Sequence, residues 1–391
     1  MFAVDVCRLP ATGGSTFVVA AGLFMLIAGV IVTRWVRASA GRMSVVVAPL
    51  VLLGGFVLAP SVTDPCSPTT TTVAPTTTVV PVDPNLVLEI DSTVLAPTGI
   101  DSVTAADESF VFELGLWGEV DVQVDWGDGS TNNVSAAGPF PHTYATSGRY
   151  TITVSGSLTG FGQDPLTIDL PLSGAQYLRA VRSFGELGIT SLSVAFWGST
   201  NLVDVPATLP ATVTDMRYMF GGAEAFNGDV SGWDTGSVTD MSAMFASATA
   251  FNGDVSDWDT GSVTDMNSMF NLASSFNGDV SGWDTGSVTY MNSMFGGATA
   301  FNQSLGAWDI SEVIDMSNML DDSGLSVANY DATLNGWADI QQAKQSNVTL
   351  GAAGLYFSNN GSSAHSDLQC GSGWQIIDEG NQSVCPRFVE S

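Results

Sequence analysis

One phrase recurs in this chain at an unvarying interval of 25 residues, and that interval limits the fold more than any other feature. It reads Val238-Thr-Asp-Met241-Ser-Ala-Met244-Phe245, then Val263-Thr-Asp-Met266-Asn-Ser-Met269-Phe270, then Val288-Thr-Tyr-Met291-Asn-Ser-Met294-Phe295. The same offset links Phe226, Phe251, Phe276 and Phe301, and again Trp233, Trp258, Trp283 and Trp308. A period kept without insertion means that each unit forms one coil of a stack and meets its neighbours in the same way. A lone coil could not persist. Its apolar side chains, about seven in number, are worth roughly 1.5–3 kcal/mol each when buried, while ordering its residues costs on the order of 1.5 kcal/mol apiece. Stacking is obligatory, and both ends need covers.

Within each repeat, Ser237-Val-Thr-Asp240 and Ser262-Val-Thr-Asp265 follow a capping-box-like pattern. Val238, Met241, Met244 and Phe245 recur at spacings of three and four, which predicts a short helical turn. Phe226-Asn-Gly-Asp-Val230 and its copies predict a short strand, so stacked copies would make a parallel sheet. The phrase Trp-Asp-Thr-Gly-Ser-Val-Thr-Asp-Met-x-x-Met-Phe, followed by Ala-x-x-Phe-Asn-Gly-Asp-Val, resembles the repeat of the bacterial surface proteins called BspA-like, a leucine-rich-repeat-like family. The resemblance runs from about Leu178 to Ile377, with residues 189–202 as a degenerate first coil. It implies an α/β leucine-rich-repeat-like solenoid with short parallel strands, displayed outside the cell for adhesion or ligand binding.

Between about Leu86 and Leu172 the apolar period falls to two. Val120, Val122, Val124 and Trp126 alternate with Asp121, Gln123 and Asp125, the chain turns at Gly127-Asp128-Gly129, and Tyr150, Ile152 and Val154 alternate again. This pattern predicts an immunoglobulin-like β-sandwich. Val124-Asp-Trp-Gly-Asp-Gly-Ser130, Pro141-His-Thr-Tyr144 and Gly148-Arg-Tyr-Thr-Ile-Thr-Val154 resemble the polycystic-kidney-disease (PKD) domain, which implies a spacer or accessory binding module. Asp125 and Asp128 lack the fuller Asp-x-Asp-x-Asp-Gly spacing of a calcium loop, so their expected work is to hold a turn.

The predicted organisation is therefore multidomain. Residues 1–60 read as a membrane or export segment, with an LPATG-like stretch at 9–13 and apolar runs at 17–33 and 45–59. Together with Arg34-Trp-Val-Arg37, the first run and the stretch before it resemble a sortase sorting signal. Such signals belong at a C-terminus, so it is not expected to act as one here. Arg34, Arg37 and Arg42 lie between the runs, which places that loop in the cytoplasm and everything after Pro60 outside. Residues 61–85 are a Thr/Pro-rich linker, 86–172 the PKD-like segment, 173–337 the repeats, and 338–391 a C-terminal cap, with a helix expected near 328–337.

The net charge of −29, from 39 acids against 10 bases, repels phosphate backbones and argues against nucleic-acid binding. The single lysine, Lys344, is not in a phosphate loop. His142 and His365 lack zinc-ligand companions, and no Gly-x-Ser-x-Gly elbow occurs, so no catalytic residue is expected. Cys370 and Cys385 bracket a short C-terminal segment and are expected to form a disulfide, worth roughly 3 kcal/mol by loop closure.

Three polar rows accompany the repeats. Asn227, Asn252, Asn277 and Asn302 are expected to bond coil to coil. Asp234, Asp259, Asp284 and Asp309 are expected to cap helix starts. Asp229, Asp254 and Asp279, a row ended by Ser304, would lie about 4.8 Å apart and repel by roughly 1 kcal/mol even in water-like dielectric. Solvent screening, a bound cation such as Ca2+, or a basic ligand would each relieve them. No other cofactor is implied. The functional expectation is a non-catalytic exported surface protein whose partners are an extracellular protein or glycan and, through its N-terminal segment, a membrane. An accessory carbohydrate-binding protein of a polysaccharide-degrading system and a structural surface-layer or stalk component are the alternatives.

Overall fold

The structure is a computed structural model and describes residues 24–27, 30–33, 83–93, 109–164, 171–340 and 344–380. It falls into two compact units, residues 1–78 and 79–391. In the first unit β1 (Phe24–Ile27) pairs antiparallel with β2 (Val30–Thr33). The LPATG-like stretch, the run at 45–59 and the Thr/Pro linker up to residue 82 lie outside the described residues. Among the described residues no helix is long and apolar enough to cross a membrane.

In the second unit the alternating segment forms strands as its period requires. The strands are β3 (Leu86–Asp91), β4 (Phe110–Asp125), β5 (Thr131–Val134), β6 (Gly138–Tyr144), β7 (Arg149–Phe161) and β8 (Leu178–Phe184). Leu88, Val122, Val124, Ile152 and Val154 are buried, and the intervening Asp121, Gln123 and Asp125 are exposed. All six strands join one antiparallel sheet in the order β5-β4-β7-β3-β8, with β6 also on β4. This corrects the expected two-sheet sandwich. β4 is 16 residues long and changes partners along its length, pairing with β6 through 110–116 and with β5 through 122–125. A strand shared in this way ties all six into one hydrogen-bonded sheet. The sheet also reaches past residue 172 to take in β8.

The repeats correct the fold class further: they form no α/β leucine-rich-repeat-like solenoid. No named strand or helix occurs between β8 and α1 (Val327–Asp339), and the parallel pairing there consists of single-residue bridges: a file through Ser191, Asp215, Asp240, Asp265, Tyr290 and Asp315, with Ala180–Asp204 and Met316–Leu350 at its two ends. Each coil is a chain of tight turns. Met244 N–H donates to Met241 O, Ala248 N–H to Phe245 O, Phe251 N–H to Ala248 O, and Trp258 N–H to Val255 O. Turns of this length put apolar residues at corners three apart, so they imitate the helical spacing without being helical. Ala243 and Ser247 have φ of 51° and 59°, the left-handed value that position i+2 of a type II turn demands and that neither a helix nor a strand tolerates. Alternate N–H groups then point along the stack: those of Met241, Ala243, Phe245 and Ser247 donate to the carbonyls of Asp265, Asn267, Met269 and Asn271 in the next coil.

Side chains fill the interior in files. Phe226, Phe251, Phe276 and Phe301 lie 5.9–6.1 Å apart with rings within 7° of parallel. The Trp file repeats at 6.2–6.4 Å, and the indole N–H of Trp258 donates to Val230 O one coil earlier, as Trp283 does to Val255 O.

Both ends of the stack are covered. At the start, Thr190 and Ser191 N–H donate to Thr159 O on β7, Phe161 N–H donates to Ser191 O, and Val181 N–H on β8 donates to Asp204 O. At the other end, α1 lays Trp337 beneath the last coil, its indole N–H on Leu305 O. Gly306 and Gly336 permit this approach, since a Cβ on Gly336 would sit 2.1 Å from Gly306 O. The short parallel pair β9 (Thr349–Gly351) and β10 (Gln375–Ile377) then receives Met316 and Leu320 N–H. A single apolar core runs from Leu86 to Ile376.

Candidate functional site

The asparagine file links coils. Asn252, Asn277 and Asn302 N–H each donate to the Oδ1 of the Asn one coil earlier, all at 2.8 Å, and Ser326 N–H continues the file onto Asn302. The Asp234 row does not cap helices, because no helix follows it. Its carboxylates accept instead from the backbone two residues on, Gly236, Gly261, Gly286 and Ser311. Likewise Asp240, read as the acid of a capping box, bonds forward to Ser242 N–H and Oγ.

Asp229, Asp254 and Asp279 are all exposed, and each holds its own turn. Asp229 and Asp254 accept both the N–H and the hydroxyl of the Ser two residues on, and Asp279 accepts Ser281 N–H. The Ser231 hydroxyl holds the Asp229 carboxyl below the usual range, and the Ser256 N–H does the same for Asp254, even though Asp229 and Asp279 push Asp254 the other way. The row therefore stays ionised with a turn as its stabiliser. Among the described residues no group of three or more His, Cys, Asp or Glu could hold a metal ion.

A different row was missed by sequence reasoning. Asp215 and Asp240 occupy adjacent positions in the bridge file, and Arg217 spans them, with Nη2 2.9 Å from Asp215 Oδ2 and Nε 3.4 Å from Asp240 Oδ2. Burial, aided by the neighbouring Asp215 charge, pushes the Asp240 carboxyl above its usual range despite the bonds from Ser242 and the charge of Arg217. Beside this network the Trp197 and Tyr218 rings meet edge-on at 6.5 Å, and Tyr218 is exposed at a φ of 55°. Tyr290, Leu272 and Ile314 are exposed on further coils. The available signal was departure from the repeat: Arg217 and Tyr218 stand where other coils carry Ser242 and Ala243, or Asn267 and Ser268.

In the sheet, Asp125 and Asp128 hold the turn, accepting Gly127 N–H and Ser130 N–H. His142 stacks on Trp126 at 4.4 Å and reaches Asp128 Oδ2 at 2.8 Å. Desolvation would raise the Asp128 carboxyl, but the bonds from Ser130 and His142 outweigh it and bring it to about 2. In the C-terminal region His365 and Tyr330 are buried against one oxygen of Asp378, at 3.3 and 2.8 Å. Cys370 is disulfide-bonded, whereas Cys385, its expected partner, lies outside the described residues.

Two overlapping stretches, residues 190–285 and 214–337, match the family model described as "Mycoplasma protein of unknown function, DUF285", a family found in BspA-like surface proteins. The repeat run is similar to that family. No curated protein and no solved structure matches the chain.

Proposed function

We propose that this chain is an exported, non-catalytic surface protein of the BspA-like kind. Its repeat stack presents side chains from successive coils to an extracellular protein or glycan, residues 1–60 serve export or membrane attachment, and the PKD-like segment carries the stack. The observation that carries the reading is the match of 190–337 to a family found in BspA-like surface proteins. Two features support it. A disulfide at Cys370 suits an oxidising compartment, and a net charge of −29 suits a solvated exterior that repels nucleic acid. The rows of exposed polar groups repeat at coil spacing, which favours an extended ligand engaged at several points over a small molecule engulfed in a pocket.

Antibody labelling of intact and permeabilised cells tests the location. Labelling of intact cells is expected; labelling that appears only after permeabilisation would sink the proposal. Binding to host-matrix proteins and glycan arrays by the purified chain, lost when Arg217 and Tyr218 are replaced together by Ser and Ala, tests the presenting face.

A further inference from the structure

We infer that the sheet carries a pocket for an acidic sugar, a hexuronate or a sialic acid, held by its carboxylate on three arginines. Only six bases follow residue 42, and three of them, Arg149, Arg179 and Arg182, line one cavity of about 480 Å³, a size within the range of small-molecule pockets. An irregularity in the strands brings them together. β8 pairs with β3 as Ser183 on Val87 and then Val181 on Leu88, and again as Ala180 on Glu89 and then Leu178 on Ile90. Arg182 and Arg179 are the residues left over, the extra members of two bulges. Being three apart, they would point to opposite faces of a regular strand. The bulges turn both to the open face, so that β8 is exposed at the two arginines and buried at Leu178, Ala180, Val181, Ser183 and Phe184. Bulges re-aim side chains in this way and are frequent beside sites. Arg149, paired with Asp91 across β7 and β3, completes the set.

Solvent reaches all three guanidinium groups: the Arg149 side chain is 82% exposed, that of Arg182 47%, and Arg179 is exposed. Ion pairs orient two of them without using up their five donors. Arg149 gives Nε to Asp91 at 2.7 Å and keeps both Nη groups; Arg182 gives Nη2 to Glu89 at 2.7 Å and Nη1 to Asp204, and keeps Nε. Arg179 pairs with no carboxylate among the described residues, and its bond to Asn201 O is long, at 3.4 Å. Free guanidinium donors select an anion, and a planar carboxylate matches their fork. The wall also limits how much charge it takes. Glu89, Asp91 and Asp204 offset the three bases, so a second negative charge on the ligand is repelled, which disfavours phosphate groups and polyanions. Beside the arginines stand the half-buried Glu89 and the exposed Thr151 hydroxyl, which suit O–H groups, while the apolar part of the wall is limited to the buried Ile90 and the Tyr150 ring. One carboxylate on a hydroxyl-rich body is the chemistry of an acidic sugar. The inference does not rest on the reading of the repeat stack, since β3, β7 and β8 supply the whole wall.

The test is titration of the full chain with sodium glucuronate and with N-acetylneuraminate at millimolar concentration, read by calorimetry and ligand-observed NMR. The uncharged methyl ester of each acid, sodium sulfate and glycine are the controls. At least one acid is expected to bind, about tenfold or more tightly than its ester, as hydrogen bonds to a charged group allow, and less tightly as salt is raised. Arg179→Gln removes a guanidinium that no ion pair ties into the fold, so binding should weaken about tenfold with the melting temperature little changed. Arg149→Gln, at the exposed rim, is the second variant should the first unfold the sheet, and it should also weaken binding. No binding of either acid to the wild-type chain, equal binding of acid and ester, or unchanged binding in a folded arginine variant would each overturn the inference. So would displacement of the bound acid by an equal concentration of sulfate, the mark of an indiscriminate anion site, or of glycine, the mark of a site for zwitterions.

Discussion

At the scale of single residues, the acidity of this chain is largely the chemistry of its turns. Asp125, Asp128, Asp229, Asp234, Asp240, Asp315 and Asp378 all accept the backbone N–H two residues on, work that a short carboxylate does well. Sequence reasoning expected Asp125 and Asp128 to hold a turn, but took the Asp229 row for mutually repelling charges and the Asp234 row for helix caps; the partner in both rows is the local backbone, visible as Asp-x-Ser or Asp-x-Gly. Asp240 differs, because burial holds its folded-state carboxyl above the usual value. An acid raised on folding weakens the fold wherever it is ionised, and the penalty fades as pH falls through its raised value. Asp240→Asn is therefore expected to raise the melting temperature at pH 7 and to lose that advantage near pH 4. An advantage independent of pH would mean that packing, not ionisation, is responsible. Leu272 supplies a second residue-scale test, since it is exposed at a φ of 59° where Gly222 and Gly297 stand in other coils. Left-handed backbone costs an L-residue roughly 1–2 kcal/mol, and glycine's looser unfolded chain returns about 0.5–1 of that. Leu272→Gly should stabilise by a few tenths to about 1 kcal/mol, read by urea denaturation, and destabilisation would show that the side chain's contact over Gly297 matters more than the strain.

At the scale of the coil, the files were legible and the local structure was not. Phe, Met and Trp at a fixed offset announce which residues meet, whatever conformation brings them together. Spacings of three and four do not separate a helix from successive turns, and the distinction rests on left-handed residues that here are often Ala243, Ser247 or Ser268 rather than the glycines that would have signalled them. Gly222, Gly297 and Asn318 did carry the hint. In the sheet, alternation found the strands, but nothing local recorded that β4 would change partners midway. The aromatic files also locate the stack's cohesion. Phe251 is fully buried, 3.8 Å from Phe245 and 5.9–6.0 Å from Phe226 and Phe276. Phe251→Ala is expected to cost about 3–5 kcal/mol, with hydrogen exchange rising first in the flanking coils. Loosening confined to the sheet would contradict nearest-neighbour coupling.

At the scale of the molecule, the sheet is the stack's first cover and not a detachable spacer. The last strands of the sheet and the first coil share one hydrogen-bond file: Leu158 N–H donates to Leu187 O, Thr190 and Ser191 to Thr159 O, and Val203 to Arg179 O. Side chains follow the same route, with Phe161 and Phe184 packed 5.9 and 6.4 Å from Phe196, and Phe184 6.1 Å from Trp233. Removing the sheet would uncover the buried Phe196 and Trp233, which pack on Phe161 and Phe184, and strand the outermost backbone groups, and a stack that loses its cover loses stability coil by coil from that end. A chain of residues 186–391 is therefore expected to lack a cooperative melt and to bind a hydrophobic dye, while one of residues 79–391, which keeps the whole second unit, should melt as the full chain does. If 186–391 melted cooperatively at the full chain's temperature, the sheet would be an appended domain and the continuity of the core across β7 and β8 would carry no stability.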